Sequence, residues 1–270
     1  MTQPPHAQEP RLRVAFLGSG SAGNSTALSW GDTTILIDAG FSARQTLRRL
    51  EEVGIEESSI RAIVLTHEHS DHVRGVRVLA KRLAGVPVYA TKGTRRAAGL
   101  DGLVDDPRDL ARGETLVVRD LRLVAFRTSH DAADPVGVRI DAPCGGSFGL
   151  ATDTGELTPE ALEALAGCDV IGIECNHDID MLVNGPYPRF LKERILSAHG
   201  HLSNDAAAKG IERLAHDGLR AVVALHLSRT NNAPEQARSA LMVALDRLAH
   251  PATVTCVQQD FACSWPSFPR

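Results

Sequence analysis

The stretch LTHEHSDHVRG, residues 65–75, places His67, His69, Asp71 and His72 within six residues of a chain that has eleven histidines in all. It is either a polar loop rich in imidazole or one half of a metal site. The remainder of the sequence decides between them by supplying the other half or failing to. Glu68 alternates away from its neighbours and reads as a solvated loop carboxylate.

Ligands for one site converge where strands end, because strand ends carry the loops that a rigid scaffold can hold together. Single His or Asp residues lie at such ends downstream and upstream of the cluster. Asp38 closes TILIDAG, His130 follows LRLVAF, Asp153 closes FGLATDTG and His226 closes AVVALHLS.

The β-rich runs are LRVAFL (12–17), TILID (34–38), AIVLT (62–66), VPVYA (86–90), TLVV (115–118), LRLVAF (121–126), VGVRI (136–140), FGLATD (148–153), VIGIE (170–174), AVVAL (221–225) and ATVTCV (252–257). Several are joined by turns of a few residues, which predicts hairpins and meanders. Val76, Leu79, Ala80 and Leu83 keep helical spacing just after the cluster. Ala237, Leu241, Ala244, Leu245 and Leu248 do so near the C-terminus, with Pro234 suited to a first turn. The order predicts sheet on sheet with helices outside. No repeat or low-complexity linker divides the chain, so one domain is expected over residues 11–262. Residues 1–10 read as a frayed, disordered leader and 263–270 as a C-terminal tail.

With 270 residues, 43% of them hydrophobic and 23% charged, the composition is that of a soluble globular protein. No apolar run approaches the roughly 20 residues of a membrane span. The first ten residues lack the apolar core of a secretory signal, and five cysteines without a CxxC pair fit a reducing cytoplasm. A net charge of −4 argues against a uniformly positive surface. It leaves a nucleic-acid enzyme open, since two bound divalent cations offset that much charge locally.

GSGSAG at 18–23 imitates a dinucleotide fingerprint, with Asp38 as the ribose acid. A βαβ unit needs a helix of about ten or more residues between its strands. Here the intervening residues contain the turn sequence Trp30-Gly31-Asp32-Thr33, so the flanking strands are expected to pair as a hairpin.

TILIDAG, THEHSDH, SHD, ATDTG and LHLS, in this order, resemble the five signature motifs of the metallo-β-lactamase fold superfamily, over about residues 12–260. The resemblance implies an α/β fold, an αββα sandwich of two mixed sheets flanked by helices, with a dinuclear metal centre along the sheet edge. It implies that His67, His69 and His130 hold one metal and that Asp71, His72 and His226 hold the other. Asp153 would bridge them, and Asp38 would orient the histidine loop through hydrogen bonds. The spacing agrees: histidines two apart in an extended loop share a side, while Asp71 and His72 at a helix start can face a neighbouring ion. His6, His216 and His250 match no motif and read as surface residues.

Two divalent ions about 3.5–4 Å apart activate a shared water and clamp the attacked group. Subtracting Asp71, Asp153 and a bridging hydroxide from their charge leaves about +1, which favours a phosphate-like anion or a tetrahedral oxyanion. SHDAADPVG, ECNHD, GPYPRFLKERILSAHGHLSN and LSRTNN further resemble the YycJ/WalJ-like group of the superfamily. That group is similar to tRNase Z enzymes here but lacks an inserted β-CASP domain. The resemblance implies a manganese-activated 5′→3′ exodeoxyribonuclease associated with mismatch repair, with DNA and mismatch-repair proteins as partners. Zn²⁺ suits the same ligands, with Fe²⁺ a third candidate.

On this reading Asp71 and His201 are the catalytic residues, and His201 matches the group's histidine that protonates the leaving oxygen. Ser203 is a suitable N-cap beside a phosphate-binding helix start; Ser228 and Asn231 either contact phosphate or cap. Arg74 and Arg77, with Lys81, form a basic stripe that would face DNA. His177 and His199 read as structural. FLGSGSAGNS either approaches a phosphate chain or makes a tight turn. Aromatics at 4% are too few for an elaborate stacking platform, so backbone contacts with little sequence preference are expected. The competing reading is a metal-dependent hydrolase of a small acyl substrate, a thioester, lactone or lactam. A β-lactamase would be exported, and a glyoxalase-II-like thioesterase usually carries a C-terminal extension, whereas this chain ends in SFPR.

Overall fold

Arg13–Gly18 (β1), Ser25–Trp30 (β2) and Thr33–Ile37 (β3) form an antiparallel meander at the start of a computed structural model that describes residues 11–265. The segment between the two expected hairpin strands is thus itself a strand. Phe16 lies opposite Thr26, and Thr26 opposite Ile37, so β1 and β3 flank β2 and do not touch as partners. No helix separates β1 from β3, which removes the dinucleotide reading.

The first sheet then grows by parallel strands, each reached over a helix. Ala43–Glu52 (α1) leads to Ile60–Val64 (β4); Ser70–Val73 (α2) and Val76–Arg82 (α3) lead to Val88–Ala90 (β5). Lys92–Ala97 (α4) leads to Pro107–Asp109 (β6). Ser42 starts α1 with a reciprocal capping box, its hydroxyl accepting from Gln45 N while the Gln45 side chain reaches back.

The second sheet opens with the antiparallel strands Thr115–Val118 (β7), Leu121–Arg127 (β8), Val136–Asp141 (β9) and Ser147–Ala151 (β10). Pro159–Leu165 (α5) crosses to Val170–Glu174 (β11). Ile179–Asn184 (α6), Arg189–Ile195 (α7) and Asn204–Leu214 (α8) precede Ala221–Leu225 (β12). Pro234–Arg247 (α9) leads to Thr253–Cys256 (β13), and β10 to β13 run parallel.

Cys263–Trp265 (β14) returns to the first sheet and pairs with β1, Val14 opposite Trp265. The expected tail boundary at residue 263 is therefore corrected: residues 263–265 complete the first sheet. The expected leader at 1–10 and residues 266–270 lie outside the described residues.

The sheets pack face to face through one apolar layer. Phe16, Ile35, Ile37 and Val64 meet Leu123, Val138, Phe148 and Val223, and the rings of Phe16 and Phe148 sit edge-on at 6.0 Å. Leu36 alternates to the other face and joins Leu50 and Leu79 under the helices. Both sheet faces are covered, which is why the strands read as unbroken apolar runs. Of the stripe expected on α9, Ala237, Leu241, Ala244 and Leu245 are buried; Leu248 caps the helix and is exposed. Strands β3 and β4, and β8, β10, β11 and β12, each share a direction within their sheet. Side chains placed just past their ends therefore collect along one edge.

Candidate metal centre

Asp38, Asp153 and His226 each follow a strand directly and have positive φ, 63°, 52° and 54°. Such backbone is uncommon outside glycine and costs about 1–3 kcal/mol each, so surrounding bonds must hold it. For Asp38 these bonds are explicit. Its Oδ1 accepts from Thr66 N at 2.8 Å, and its Oδ2 accepts from His72 Nδ1 at 2.8 Å. Asp38 thus fixes the ring of His72 from behind.

His67, His69 and His130 form one group, with ring centroids 4.7 to 5.1 Å apart. Nδ1 of His130 donates to Gly200 O at 3.0 Å, which leaves Nε2 with its lone pair, 3.2 Å from His69 Nδ1. Nε2 of His67 is buried with no hydrogen-bond partner. Burial holds the His67 pKa well below its usual value, so this nitrogen is a neutral lone pair facing other ring nitrogens. Three converging imidazoles of this kind fit a cation.

Asp71, His72, Asp153 and His226 form the second group, their donor atoms all within 4.8 Å of one another. His72 Nε2 lies 3.1 Å from Asp153 Oδ2, and His226 Nε2 lies 3.4 Å from Asp71 Oδ2. Oδ1 of Asp153 also comes within 3.8 Å of His130 in the first group. Burial would raise the Asp153 carboxyl, but His226 and His72 hold it well below the carboxylate range. Burial would likewise lower His226, and Asp153, Asp71 and Glu174 instead push it up to about 10. The described residues thus fit two cations that share Asp153.

Three functional neighbours escaped the sequence reading. Glu174, fully buried at the end of β11, accepts from His201 Nδ1 at 2.7 Å and from His226 Nδ1 at 3.1 Å. Its other oxygen accepts from Thr154 N at 2.7 Å. The signal was an acid closing the otherwise apolar VIGIE. Asn24 donates from Nδ2 to Asp71 Oδ2 at 3.2 Å, and Ser19 Oγ accepts from His226 N at 2.9 Å. GSGSAGN therefore backs the centre as well as turning the chain, and Gln259 clamps it, accepting from Ala22 N at 2.8 Å.

The centre opens into a cleft of about 280 Å³ lined by His69, Asp71, His130, Asp153, His201 and His226, with Ser21, Ser228, Tyr187 and Arg194 around them. Ser203 caps α8, accepting from Ala206 N, and Ser228 Oγ accepts from Asn231 N at 3.1 Å. Asn231 is buried behind Ser228 with its side-chain amide unpartnered. Arg74, Arg77, Ser203 and Asn231 are not among the cleft-lining residues. Arg74 instead ties two loops, donating to Gly40 O at 3.0 Å and to Ala22 O, and Arg77 lies exposed on α3.

Glu68 is not a free loop carboxylate, since it accepts from Ala133 N at 2.7 Å. His216 and His250 are half-buried clasps: His250 donates to His216 O at 2.8 Å and His216 to Cys168 O at 3.0 Å. His6 lies outside the described residues. His199 pairs with Ser129 Oγ at 3.0 Å, and burial drops His177 to about 4.

A beta-lactamase superfamily domain matches residues 33–227. Exodeoxyribonuclease WalJ of Streptococcus pneumoniae is 35% identical over 236 residues, covering 86% of this chain and 87% of that protein. Exodeoxyribonuclease YycJ of Bacillus anthracis is 32% identical over 240 residues, covering 87% and 89%. The crystal structure of the metallo-beta-lactamase fold protein YhfI from Bacillus subtilis covers 95% of this chain and 100% of its own, with a TM-score of 0.72 at 15% identity, a likeness of fold alone. Ordered motifs, stacked sheets and relatives across most of its length agree that the chain belongs to the beta-lactamase superfamily, in the metallo-β-lactamase fold.

Proposed function

We propose that this chain is a metal-dependent exodeoxyribonuclease, a hydrolase of DNA phosphodiester bonds that digests from the 5′ end. The observation that carries the reading is the pair of donor groups joined by Asp153 at the floor of an open cleft. His67, His69 and His130 would hold one ion, Asp71, His72 and His226 the other, and Asp153 both. Bound ions supply charge for the phosphoryl oxygens and lower the pKa of water at the centre.

The chain's own residues account for the rest. Burial would lower the pKa of His201, but Glu174, accepting from its Nδ1 at 2.7 Å, raises it above the ordinary value and so favours the ring that carries a proton to give. His201 lines the cleft and is the group to give that proton to the departing alkoxide. Ser21 and Ser228 stand at the cleft as hydrogen-bond partners for flanking phosphate oxygens. A donor set of imidazoles and carboxylates suits Mn²⁺, Zn²⁺ or Fe²⁺, and Mn²⁺ is the ion to test first. The two named relatives, both exodeoxyribonucleases, support DNA as substrate. Work in mismatch repair and in the cytoplasm extends the same reading; five cysteines without a disulfide support a reducing compartment.

The test is end-labelled duplex DNA, 5′-phosphorylated or not, with Mn²⁺, Zn²⁺ or Fe²⁺ and with Asp71→Ala as control. Shortening from the 5′ end by the wild type alone is expected. Turnover of a thioester or lactone with no DNA shortening would overturn it.

A further inference from the structure

The segment between β11 and α8 forms one wall of the cleft and carries an unusual share of exposed apolar surface. Ile179, Val183, Phe190 and Leu196 are 41%, 51%, 71% and 46% exposed. Tyr187, Leu191, Arg194 and Ile195 of this segment line the cleft itself. Within α7, Phe190 lies one turn before Arg194, which lines the cleft, so it stands beside the cleft-facing residues. Phe16, Phe41, Phe126 and Phe148 are buried, whereas Phe190, like Phe261, is largely exposed. Apolar surface of this kind marks a place for a ligand when it adjoins one.

The wall is held in place. Arg194 Nε meets Asp131 Oδ2 at 2.6 Å, next to His130. Lys192 Nζ donates to Val183 O at 2.7 Å, joining α7 to α6. His201 N donates to Ile195 O at 3.0 Å, so the wall and the proposed proton donor share a backbone bond. A platform so anchored costs little ordering on binding.

We propose that Tyr187 and Phe190 are a stacking platform for the one or two nucleobases next to the scissile phosphodiester, so that the protein engages an unpaired strand end. The inference rests on the nuclease reading and deepens it. Arg189 and Lys192 lie one and two residues from Phe190 on α7, Arg189 paired with Glu193 and Lys192 with Val183 O, so this end of the wall carries basic side chains for an anionic strand. Aromatic faces accept any base, because every base has a π-face. A base inside a duplex is paired and stacked on both sides, so only a frayed or single-stranded end can use the platform. The low aromatic content pointed away from stacking; one ring lining the cleft and a second exposed on the adjoining helix α7 suffice for one or two bases.

The experiment compares two 5′-labelled single strands with Mn²⁺, one natural and one abasic over its terminal nucleotides, on wild type, Tyr187→Ala, Phe190→Ala and Phe190→Trp. Stacking on this scale predicts that Phe190→Ala raises KM on the natural strand about tenfold. It should leave kcat and the abasic strand unchanged, and Phe190→Trp should restore KM. Equal KM for wild type and Phe190→Ala, or an equal loss on the abasic strand, overturns the platform. If wild type cleaves neither strand with any metal, the nuclease reading fails instead. Quenching of a strand ended in 2-aminopurine then still decides: quenching lost in Phe190→Ala supports the platform, and no quenching by wild type overturns it.

Discussion

Nδ1 of His201 and Oε1 of Glu174 lie 2.7 Å apart, and the same oxygen is 3.1 Å from Nδ1 of His226. One buried carboxylate therefore sets the ring orientation of both the proposed proton donor and a proposed metal ligand. Burial alone would raise its pKa, but His201 and His226 hold it down to about 2. Glu174→Ala strands two imidazoles and the Thr154 N–H, and should cost about 3–5 kcal/mol in urea denaturation. Glu174→Gln keeps the shape and should lower turnover about 10–100-fold. Wild-type turnover in Glu174→Gln would remove the carboxylate from the account.

Asp38 is not among the cleft-lining residues, yet it orients His72 and pins Thr66. Asp38→Ala should weaken metal binding about 10–100-fold, read by competition with a chromogenic chelator. Asp38→Asn should fall between, because asparagine tolerates the left-handed backbone but carries no charge. Unchanged affinity in the alanine variant would make Asp38 a fold residue only.

Gly40 lies where a Cβ would meet Asp71 O at 1.7 Å and Asn24 N at 2.6 Å. Both contacts are backbone, so neither can swing aside. Gly40→Ala should destabilise by more than about 3 kcal/mol and lower the melting temperature even with metal removed. An unchanged melting temperature in the chelated protein would refute this packing.

Removal of metal should itself lower the melting temperature, because ions that bind only the folded ligand groups stabilise it by mass action. Mn²⁺ restored at about 100 times its dissociation constant should return about 2.7 kcal/mol. His67→Ala should bind less metal and show a smaller recovery, read by calorimetry with and without chelator.

Cys168 is buried beneath α5, and burial pushes its thiol from 9.0 up to about 12. The unfolded thiol ionises first, so the stabilisation is complete below about pH 9 and is lost as pH rises toward 12. Stability should fall through this window by up to about 1.4 kcal/mol per pH unit from this group. Cys168→Ala should flatten the fall, and an identical pH profile in that variant would contradict the assignment.

The strand runs and the five ordered motifs were readable because burial on both sheet faces leaves continuous apolar segments, each closed by an isolated polar residue. HEHSDH was readable because its proposed ligands are neighbours in sequence. β2 was missed because STALSW mixes small polar residues with apolar ones, and its pairing comes from the tight turns on either side. β14 was missed because three residues carry no period; only the open edge of β1 makes them a strand. The charge of Arg74 and Arg77 is visible in sequence, whereas the carbonyl partners of Arg74 are not. Arg74 donates to two carbonyls of other loops.

By itself the sequence determined the fold class and which imidazoles and carboxylates are available to metals, since strand-end placement and spacing are local properties. Tertiary structure alone decided what stands behind and beside them. Glu174, Asn24 and Ser19 reach members of the centre 52, 47 and 207 residues away only by folding, as Glu174 to His226, Asn24 to Asp71 and Ser19 to His226 show.

 Contacts across such separations follow from which strand ends the sheets bring to one edge. No local pattern encodes them, and the wall that sets Tyr187, Leu191 and Arg194 at the cleft has the same origin.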